Sequence, residues 1–186
     1  MNVLVLSSSP NTDGLTAACA SAAVEGVQQG GSTATAINLN ELDIQHCEAC
    51  DNGWGTCREK HRCQIKDDFL AIHDQVREAD AYILVTPVYW GDLSESAKAF
   101  TDRLRRVEAT RQEESALVNK PVMMVAAAGG SGNGMITCLQ SMERWIEHVR
   151  ARKFDFIPVN RWNRAYKIDT IRVAAKTMVT ENGASS

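Results

Sequence analysis

Short apolar runs alternate with longer stretches of helical period along almost the whole chain. Apolar residues recur at spacings of three and four over residues 69–79, 93–107 and 135–149, which predicts amphipathic helices. Runs that are apolar almost throughout predict strands buried on both faces of a parallel sheet. These strands are Asn2–Leu6, Ala34–Leu39, Ala81–Thr86, Val122–Ala128 and Phe154–Val159. The pattern predicts an α/β fold in which a doubly wound, five-stranded parallel sheet carries helices on both faces.

The ends of the chain fit one domain over residues 1–186. Met1 leads directly into a strand pattern without a basic or long apolar leader, so we expect a cytoplasmic protein without a signal peptide. Gly30 and Gly31 predict the end of the first helix. Residues 167–181 predict a last helix, and residues 182–186 a frayed tail.

Residues 40–66 form a long stretch without a clear period and contain four cysteines. Connections of this length inside a compact domain are usually functional. In doubly wound folds, ligands bind beyond the carboxyl ends of the strands. The loops around residues 7–16, 40–66, 86–93 and 128–135 are therefore the candidates for a site.

The first of these loops reads SSSPNTDGLT, residues 7–16, between the first strand and the first helix. The N–H groups at a helix N-terminus and the positive end of its dipole suit an anion. Because no Lys or Arg precedes Arg58, a phosphate here would be held by dipoles and neutral donors alone. The alternative is a loop whose hydroxyls only cap the helix.

Two common nucleotide-binding loops are absent. The opening loop has one glycine, whereas a dinucleotide fingerprint needs G-x-G-x-x-G. The later GGSGNGM, residues 129–135, has Met135 where a P-loop needs its lysine.

Three segments together are similar to the flavodoxin-like NAD(P)H-dependent FMN reductases, and among these to the iron-sulfur flavoproteins. They are SSSPNTDGLT after the first strand, TPVYWGDLSESAKAFTDRLRR after the third and GGSGNG after the fourth. A four-cysteine loop ending CQIKDDF completes the resemblance. One departure is SSSP, where the family more often has GSPR.

The resemblance implies a flavodoxin-like fold that binds FMN and takes electrons from NAD(P)H. The implied phosphate positions are Ser9, Gly14, Leu15 and Thr16, with Ser7 and Asn11 as further donors of the same loop. The implied ring segment is Pro87, Val88, Tyr89, Trp90 and Gly91, faced by Gly129, Gly130, Ser131 and Gly134. We expect hydride transfer to the flavin without a catalytic side chain, because the cofactor carries the chemistry. His46, His61, His73 and His148 are accordingly expected to be surface or helix residues.

The cysteine loop contains C-x2-C-x6-C-x5-C, formed by Cys47, Cys50, Cys57 and Cys63 within seventeen residues. Four thiolates suit a [4Fe–4S] cluster or tetrahedral zinc, and free or redox-active thiols are the third alternative. The iron-sulfur flavoproteins have a similar loop, but here the segment around DNGWGT is four residues longer than their gap. Cys19 and Cys138 lie in helical patterns and are expected to be buried.

Charge and composition limit the classes of binding partner that we expect. An apolar fraction of 44%, a charged fraction of 23% and a net charge of −3 are ordinary for a globular protein and do not favour nucleic acid or an anionic membrane. Residues 143–172 have eight basic against four acidic residues, a surplus that could meet the phosphates of NAD(P)H or an acidic partner. The plain alternative is a solvated helix face. The resemblance also implies a homodimer or homotetramer.

Three hypotheses follow for the function. The first is an FMN-dependent oxidoreductase that passes electrons from NAD(P)H to a flavin, a quinone or a redox partner. The second is an FMN and iron–sulfur electron carrier that does not react with nicotinamide. The third is a thiol or metal redox sensor in which the cysteine loop is the active element.

Overall fold

The computed structural model describes residues 1–183 and shows five parallel strands with helices on both sides. The strands are β1 (Asn2–Ser7), β2 (Thr33–Asn38), β3 (Ala81–Pro87), β4 (Pro121–Ala128) and β5 (Arg152–Asn160). Their order in the sheet is β2-β1-β3-β4-β5, the flavodoxin-like order. This confirms the predicted fold class, and the order of the strands reverses between β1 and β3.

Six helices connect and follow the strands. They are α1 (Leu15–Gln29), α2 (Thr56–Glu59), α3 (Phe69–Glu78), α4 (Glu95–Glu108), α5 (Met135–Val149) and α6 (Arg164–Gly183). Short 3-10 turns occupy Leu39–Glu41, Asp51–Gly53 and Ala109–Glu114. Among the residues that the structure describes, no helix is both long and apolar enough to cross a membrane.

The alternation of side chains along the strands divides the core into two layers. In β1, Leu4 and Leu6 pack with the buried faces of α3, α4 and α5, whereas Val3 and Val5 pack with α1 and α6. Strand β4 is buried along its whole length, as its apolar sequence predicts. Because the strands are parallel, the carboxyl ends of β1, β3 and β4 lie at one edge of the sheet. The loops that lead into α1, α4 and α5 begin at this edge.

Several predicted boundaries shift. Ser7 is the last residue of β1 rather than a loop residue, and it pairs with Asn38 and Val85 of the neighbouring strands. Leu39, predicted to end the second strand, begins a 3-10 turn because its side chain turns into the core. The last helix begins at Arg164 and runs to Gly183, two residues into the predicted tail; the rest of that tail lies outside the described residues.

Candidate functional site at the carboxyl ends of β1, β3 and β4

The loop between β1 and α1 leaves the helix N-terminus open. Gly14 is the N-terminal cap of α1, no described side chain caps the helix, and its first turn contains no acidic residue. The Ser9 hydroxyl instead accepts a hydrogen bond from the Asn11 amide at 3.1 Å. The N–H groups of the first helical turn have no partner within the helix, so they can receive an anion.

Buried hydroxyls connect this loop to the next one. Ser94 Oγ lies 2.8 Å from Ser8 Oγ and 3.1 Å from the Ser8 carbonyl oxygen, and Thr86 Oγ1 accepts the Ser94 amide at 3.1 Å. Ser94 also caps α4. The ends of β1 and β3 are thus fixed to the start of α4. Sequence reasoning missed this role for Ser8, Thr86 and Ser94, because hydroxyls in a serine-rich segment carry no sign of which of them is buried.

The segment after β3 is a tight turn that displays an aromatic ring. Tyr89 and Asp92 exchange two backbone hydrogen bonds of 3.0 Å. The two residues between them, Trp90 and Gly91, have φ of 51° and 80°, as in a type I′ turn. The Trp90 side chain is fully exposed at the tip of the turn, and Tyr89 is 38% exposed.

The loop after β4 touches this turn. Gly134, with φ of 80°, lies so close to Gly91 that a Cβ built on it would be 2.8 Å from Gly91 Cα. A Cβ on Gly91 would in turn be 2.6 Å from Thr137 Oγ1. The two loops therefore meet backbone to backbone, a contact that requires glycine at residue 134, while the positive φ favours glycine at residue 91.

An open cleft of about 780 Å³ lies where these two loops meet. Its lining comprises Val88, Tyr89, Trp90, Gly91, Glu95, Ser131, Asn133, Gly134 and Thr137. Six of these residues are predicted ring-segment or facing-loop residues; Glu95, Asn133 and Thr137 are additions that the structure makes. Pro87 ends β3, and Gly129 and Gly130 are exposed beside the cleft and outside its lining.

The basic segment reaches the same edge through Trp162. The Trp162 ring lies over Gly132, since a Cβ at residue 132 would be 2.4 Å from Trp162 Cζ3. The Arg161 guanidinium lies 4.4 Å from the centre of the Trp162 ring. Other basic residues of this segment are engaged elsewhere: Lys153 pairs with Glu143 and Arg150 with Glu113.

The four loop cysteines line one small cavity of about 20 Å³. Cys47, Cys50, Cys57 and Cys63 are all free thiols of intermediate exposure, and Glu48, Arg103 and Arg106 are the charged residues beside them. Desolvation, opposed by a backbone hydrogen bond and assisted by the negative charge of Glu48 and of the neighbouring thiolates, raises the pKa of Cys50. The longer segment 51–56 is accommodated by a 3-10 turn in which Asn52 has φ of 60°.

Four thiols around one cavity are a donor set for a metal centre. A tetrahedral zinc site places its sulfurs about 3.8 Å apart, given a Zn–S bond of about 2.3 Å. Among residues 1–181, no three Cys, His, Asp or Glu side chains are close enough to hold one metal ion. A [4Fe–4S] cluster spreads its four thiolates around a larger body, and four thiols suit the donor set of either centre.

One histidine is buried and paired with a carboxylate. His73 lies in α3, as expected of a helix residue, but it is buried, and its Nε2 lies 2.6 Å from Glu108 Oε1. Burial alone would raise the pKa of Glu108, but hydrogen bonds from His73, the Ala116 amide and Ser115 lower it. This pair joins α3 to the end of α4 and lies outside the cleft.

The comparisons decide the family. The sequence model of the NADPH-dependent FMN reductases matches residues 1–155, which include all three strand-end loops described above. The chain belongs to this family. This is a family of FMN-binding, flavodoxin-like oxidoreductases.

Curated relatives of this chain are named iron-sulfur flavoproteins. An iron-sulfur flavoprotein of Methanosarcina thermophila is 30% identical over 67% of this chain and 62% of its own length. One of Methanocaldococcus jannaschii is 30% identical over 78% of this chain and 72% of its own length. The chain thus matches about two thirds of the length of these two relatives.

Solved structures share the fold at low identity. An NAD(P)H:quinone oxidoreductase from Methanothermobacter marburgensis has a TM-score of 0.71 and 16% identity, over 96% of each chain. A flavodoxin from Streptococcus pneumoniae TIGR4 has a TM-score of 0.64 and 14% identity, over 97% of this chain and 99% of its own. These likenesses support the flavodoxin-like fold of this member of the FMN reductase family.

Proposed function

We propose that this protein takes electrons from NAD(P)H through FMN and passes them to a flavin, a quinone or a protein redox partner. The observation that carries the proposal is the contact between Gly91 and Gly134, which brings the two ring-side loops together beside the open N-terminus of α1. A flat cofactor with one phosphate needs a dipolar phosphate site and an aromatic-lined cleft next to each other.

The phosphate of FMN would be held by the loop between β1 and α1. Leu15 and Thr16 would donate backbone N–H groups, and Ser9, Asn11 and Gly14 would shape the loop, while Ser7 acts through its place at the end of β1. With no cation before Arg58, the helix dipole supplies the positive potential. A single phosphate suits this arrangement better than a polyphosphate.

The isoalloxazine ring would lie in the cleft between the turn at Trp90 and the loop after β4. Pro87, Val88, Tyr89 and Gly91 would form one wall, and Gly129, Gly130, Ser131 and Gly134 the facing edge. When bound there, FMN accepts a hydride and returns its electrons singly or in pairs. The protein's part is to orient the two rings and to exclude water, and no side-chain acid or base is required.

The nicotinamide dinucleotide would approach past Trp162. Its ring is 64% exposed and is fixed over Gly132 at the rim of the cleft, with Arg161 stacked on it. An exposed indole can stack on an adenine, and an adjacent guanidinium can meet a phosphate. Arg161, with Arg164 three residues further on, is our proposed contact for the dinucleotide phosphates.

The cysteine loop would hold a [4Fe–4S] cluster through Cys47, Cys50, Cys57 and Cys63. The shared cavity of these four thiols supports this. A cluster moves one electron at a time, so it would let the protein serve a one-electron acceptor. We retain the homodimer or homotetramer as part of the proposal, supported by the exposed Trp90 at the rim of the cleft.

The experiment is an anaerobic spectrum of freshly purified protein, with FMN, iron, sulfide and zinc assays on the same sample, followed by NADPH and by NADH. Bleaching of the flavin bands by either nucleotide alone would support the proposed reductase. A flavin that is reduced by dithionite but by neither nucleotide would make the protein an electron carrier instead. Protein that takes up no FMN would contradict the proposal.

A further inference from the structure

Arg103 is the largest fully buried side chain in the described part of the chain, and it lies against the cysteine cavity. Its Nη2 donates to Cys63 Sγ at 3.3 Å and to Asp67 Oδ1 at 2.8 Å, while Nη1 donates to the Gln45 carbonyl oxygen at 2.9 Å and to Asp67 Oδ2. The guanidinium also lies 4.3 Å from the centre of the Phe69 ring. A cation held from so many sides cannot turn away from Cys63.

The same contacts join the two ends of the cysteine loop at Gln45 and Asp67, which we call the neck of the loop. Asp67 accepts the amides of Gln45 at 2.9 Å and of Phe69 at 3.2 Å, in addition to its two bonds from Arg103. The two ends of the loop are thereby fixed to each other and to α4. Asp67 balances the charge of Arg103, so the remaining N–H···S bond acts on Cys63 as a fixed dipole.

Arg106, one turn further along α4, lines the cavity and forms no salt bridge with the described residues. Its guanidinium lies 4.1 Å from the centre of the Trp54 ring, in the lengthened part of the cysteine loop. Its Nη2 is buried and has no hydrogen-bond partner among the described residues. Glu48 is the one acid in the cavity lining, against two arginines and four thiols. A buried donor of this kind calls for a negatively charged occupant.

We propose that Arg103 and Arg106 tune the cysteine centre: they stabilise its more negative, reduced state and so raise its midpoint potential. This rests on the proposed [4Fe–4S] cluster, whose charge becomes one unit more negative when it accepts one electron from a donor such as dithionite. Hydrogen bonds to sulfur and nearby charge are the levers by which a protein sets such potentials. Both arginines are positioning residues and ligate no iron.

The test compares Arg106→Gln, Arg103→Lys and the control Arg105→Gln, each purified anaerobically with its cluster. Arg105 lies on the same helix but lines the groove toward Trp145. The readouts are iron and sulfide per chain and the midpoint potential from an EPR-monitored redox titration. We expect Arg106→Gln to keep its iron and to show about a tenfold lower ratio of reduced to oxidised cluster at a fixed potential, equal to about 59 mV for one electron. Arg103→Lys keeps the positive charge but loses the paired N–H donors of the guanidinium. We therefore expect less iron per chain and a lower midpoint potential.

The outcomes separate this inference from the proposed function. Wild-type protein that binds a cluster, with a midpoint potential equal in Arg106→Gln and Arg105→Gln, would overturn the inference and leave the cluster intact. Wild-type protein that contains neither iron nor sulfide after reconstitution would overturn the cluster and the inference together, while the FMN site would stand. A lower potential in Arg106→Gln alone supports the inference even if Arg103→Lys fails to fold.

Discussion

Gly91 and Gly134 lie in contact although 42 intervening residues separate them in sequence, and both have φ of 80°. A methyl group at residue 134 would have to push the two loops apart, and it would also strain the backbone. We expect Gly134→Ala to lose at least about 1 kcal/mol of unfolding free energy and most of its affinity for FMN, measured by urea unfolding and by flavin fluorescence quenching.

Gly31→Ala is the matched control for that variant. Gly31 has φ of 77°, so alanine is strained there too, but nothing lies within 4 Å of its Cβ position. We expect a similar cost from the backbone with unchanged FMN affinity. Equal FMN affinity in the two variants would show that the contact between the loops does not shape the site.

The proposed phosphate site at the N-terminus of α1 can be tested with one added charge and two flavins. Asn11→Asp places a carboxylate in an exposed position of the loop before α1, and we expect it to weaken binding of FMN several-fold with little effect on riboflavin, which lacks the phosphate. Dissociation constants for both flavins, measured at low salt, give the loss of FMN affinity relative to that of riboflavin. A parallel loss for riboflavin would place the phosphate elsewhere.

Trp90 offers a test of the exposed turn. Because its side chain buries almost nothing, Trp90→Ala should leave the thermal midpoint within about 2 °C of the wild type. We expect FMN affinity to fall by about two- to ten-fold, since an aromatic contact contributes about 0.5–1.5 kcal/mol. Val173→Ala, at a residue with 63% exposure on α6, is the control and should change neither quantity.

The buried pair of Asp67 and Arg103 predicts a pH dependence. Burial raises the pKa of Asp67, but hydrogen bonds from Arg103 and from two backbone amides lower it below its usual value. The stability that this carboxylate contributes is therefore present above its unfolded pKa of about 3.9 and is lost as the pH falls through the lowered value. Removing one partner of a buried pair costs about 3–5 kcal/mol, so Asp67→Asn should be strongly destabilised at pH 7.

Asp74→Asn controls for the loss of a salt bridge as such. Asp74 pairs with Arg62 at 2.8 Å, but both side chains are nearly half exposed, so we expect a loss below about 1 kcal/mol. Urea unfolding at neutral and acidic pH measures both variants. If Asp67→Asn were no less stable than Asp74→Asn, the neck of the cysteine loop would not be held by this pair.

Thiol reactivity separates the six cysteines. Burial raises the pKa of Cys19 and of Cys138 to about 12, so both should resist a disulfide reagent at neutral pH in the folded protein. Iron-free native protein should release four equivalents of the chromophore and unfolded protein six. A fifth or sixth thiol reacting at the native rate would contradict the burial of these two helix cysteines.

The sequence predicted the fold and the strand-end loops because each depends on a local pattern. The uninterrupted apolar run of β4 and the glycines after it need no knowledge of the rest of the chain. Arg103 could not be found in this way: in an amphipathic helix an arginine fits the solvated face, and its burial depends on Asp67 and Gln45, which approach it from a loop with no period. The contact between Trp162 and Gly132 likewise joins segments whose separation only the folded sheet decides.

The buried Arg103–Asp67 pair makes the cysteine loop a separately anchored part of the fold. Its two ends are fastened to α4 and to each other, and the glycine contact that shapes the flavin cleft lies on other loops. A change in length between residues 46 and 66 should therefore leave the contact between Gly91 and Gly134 in place.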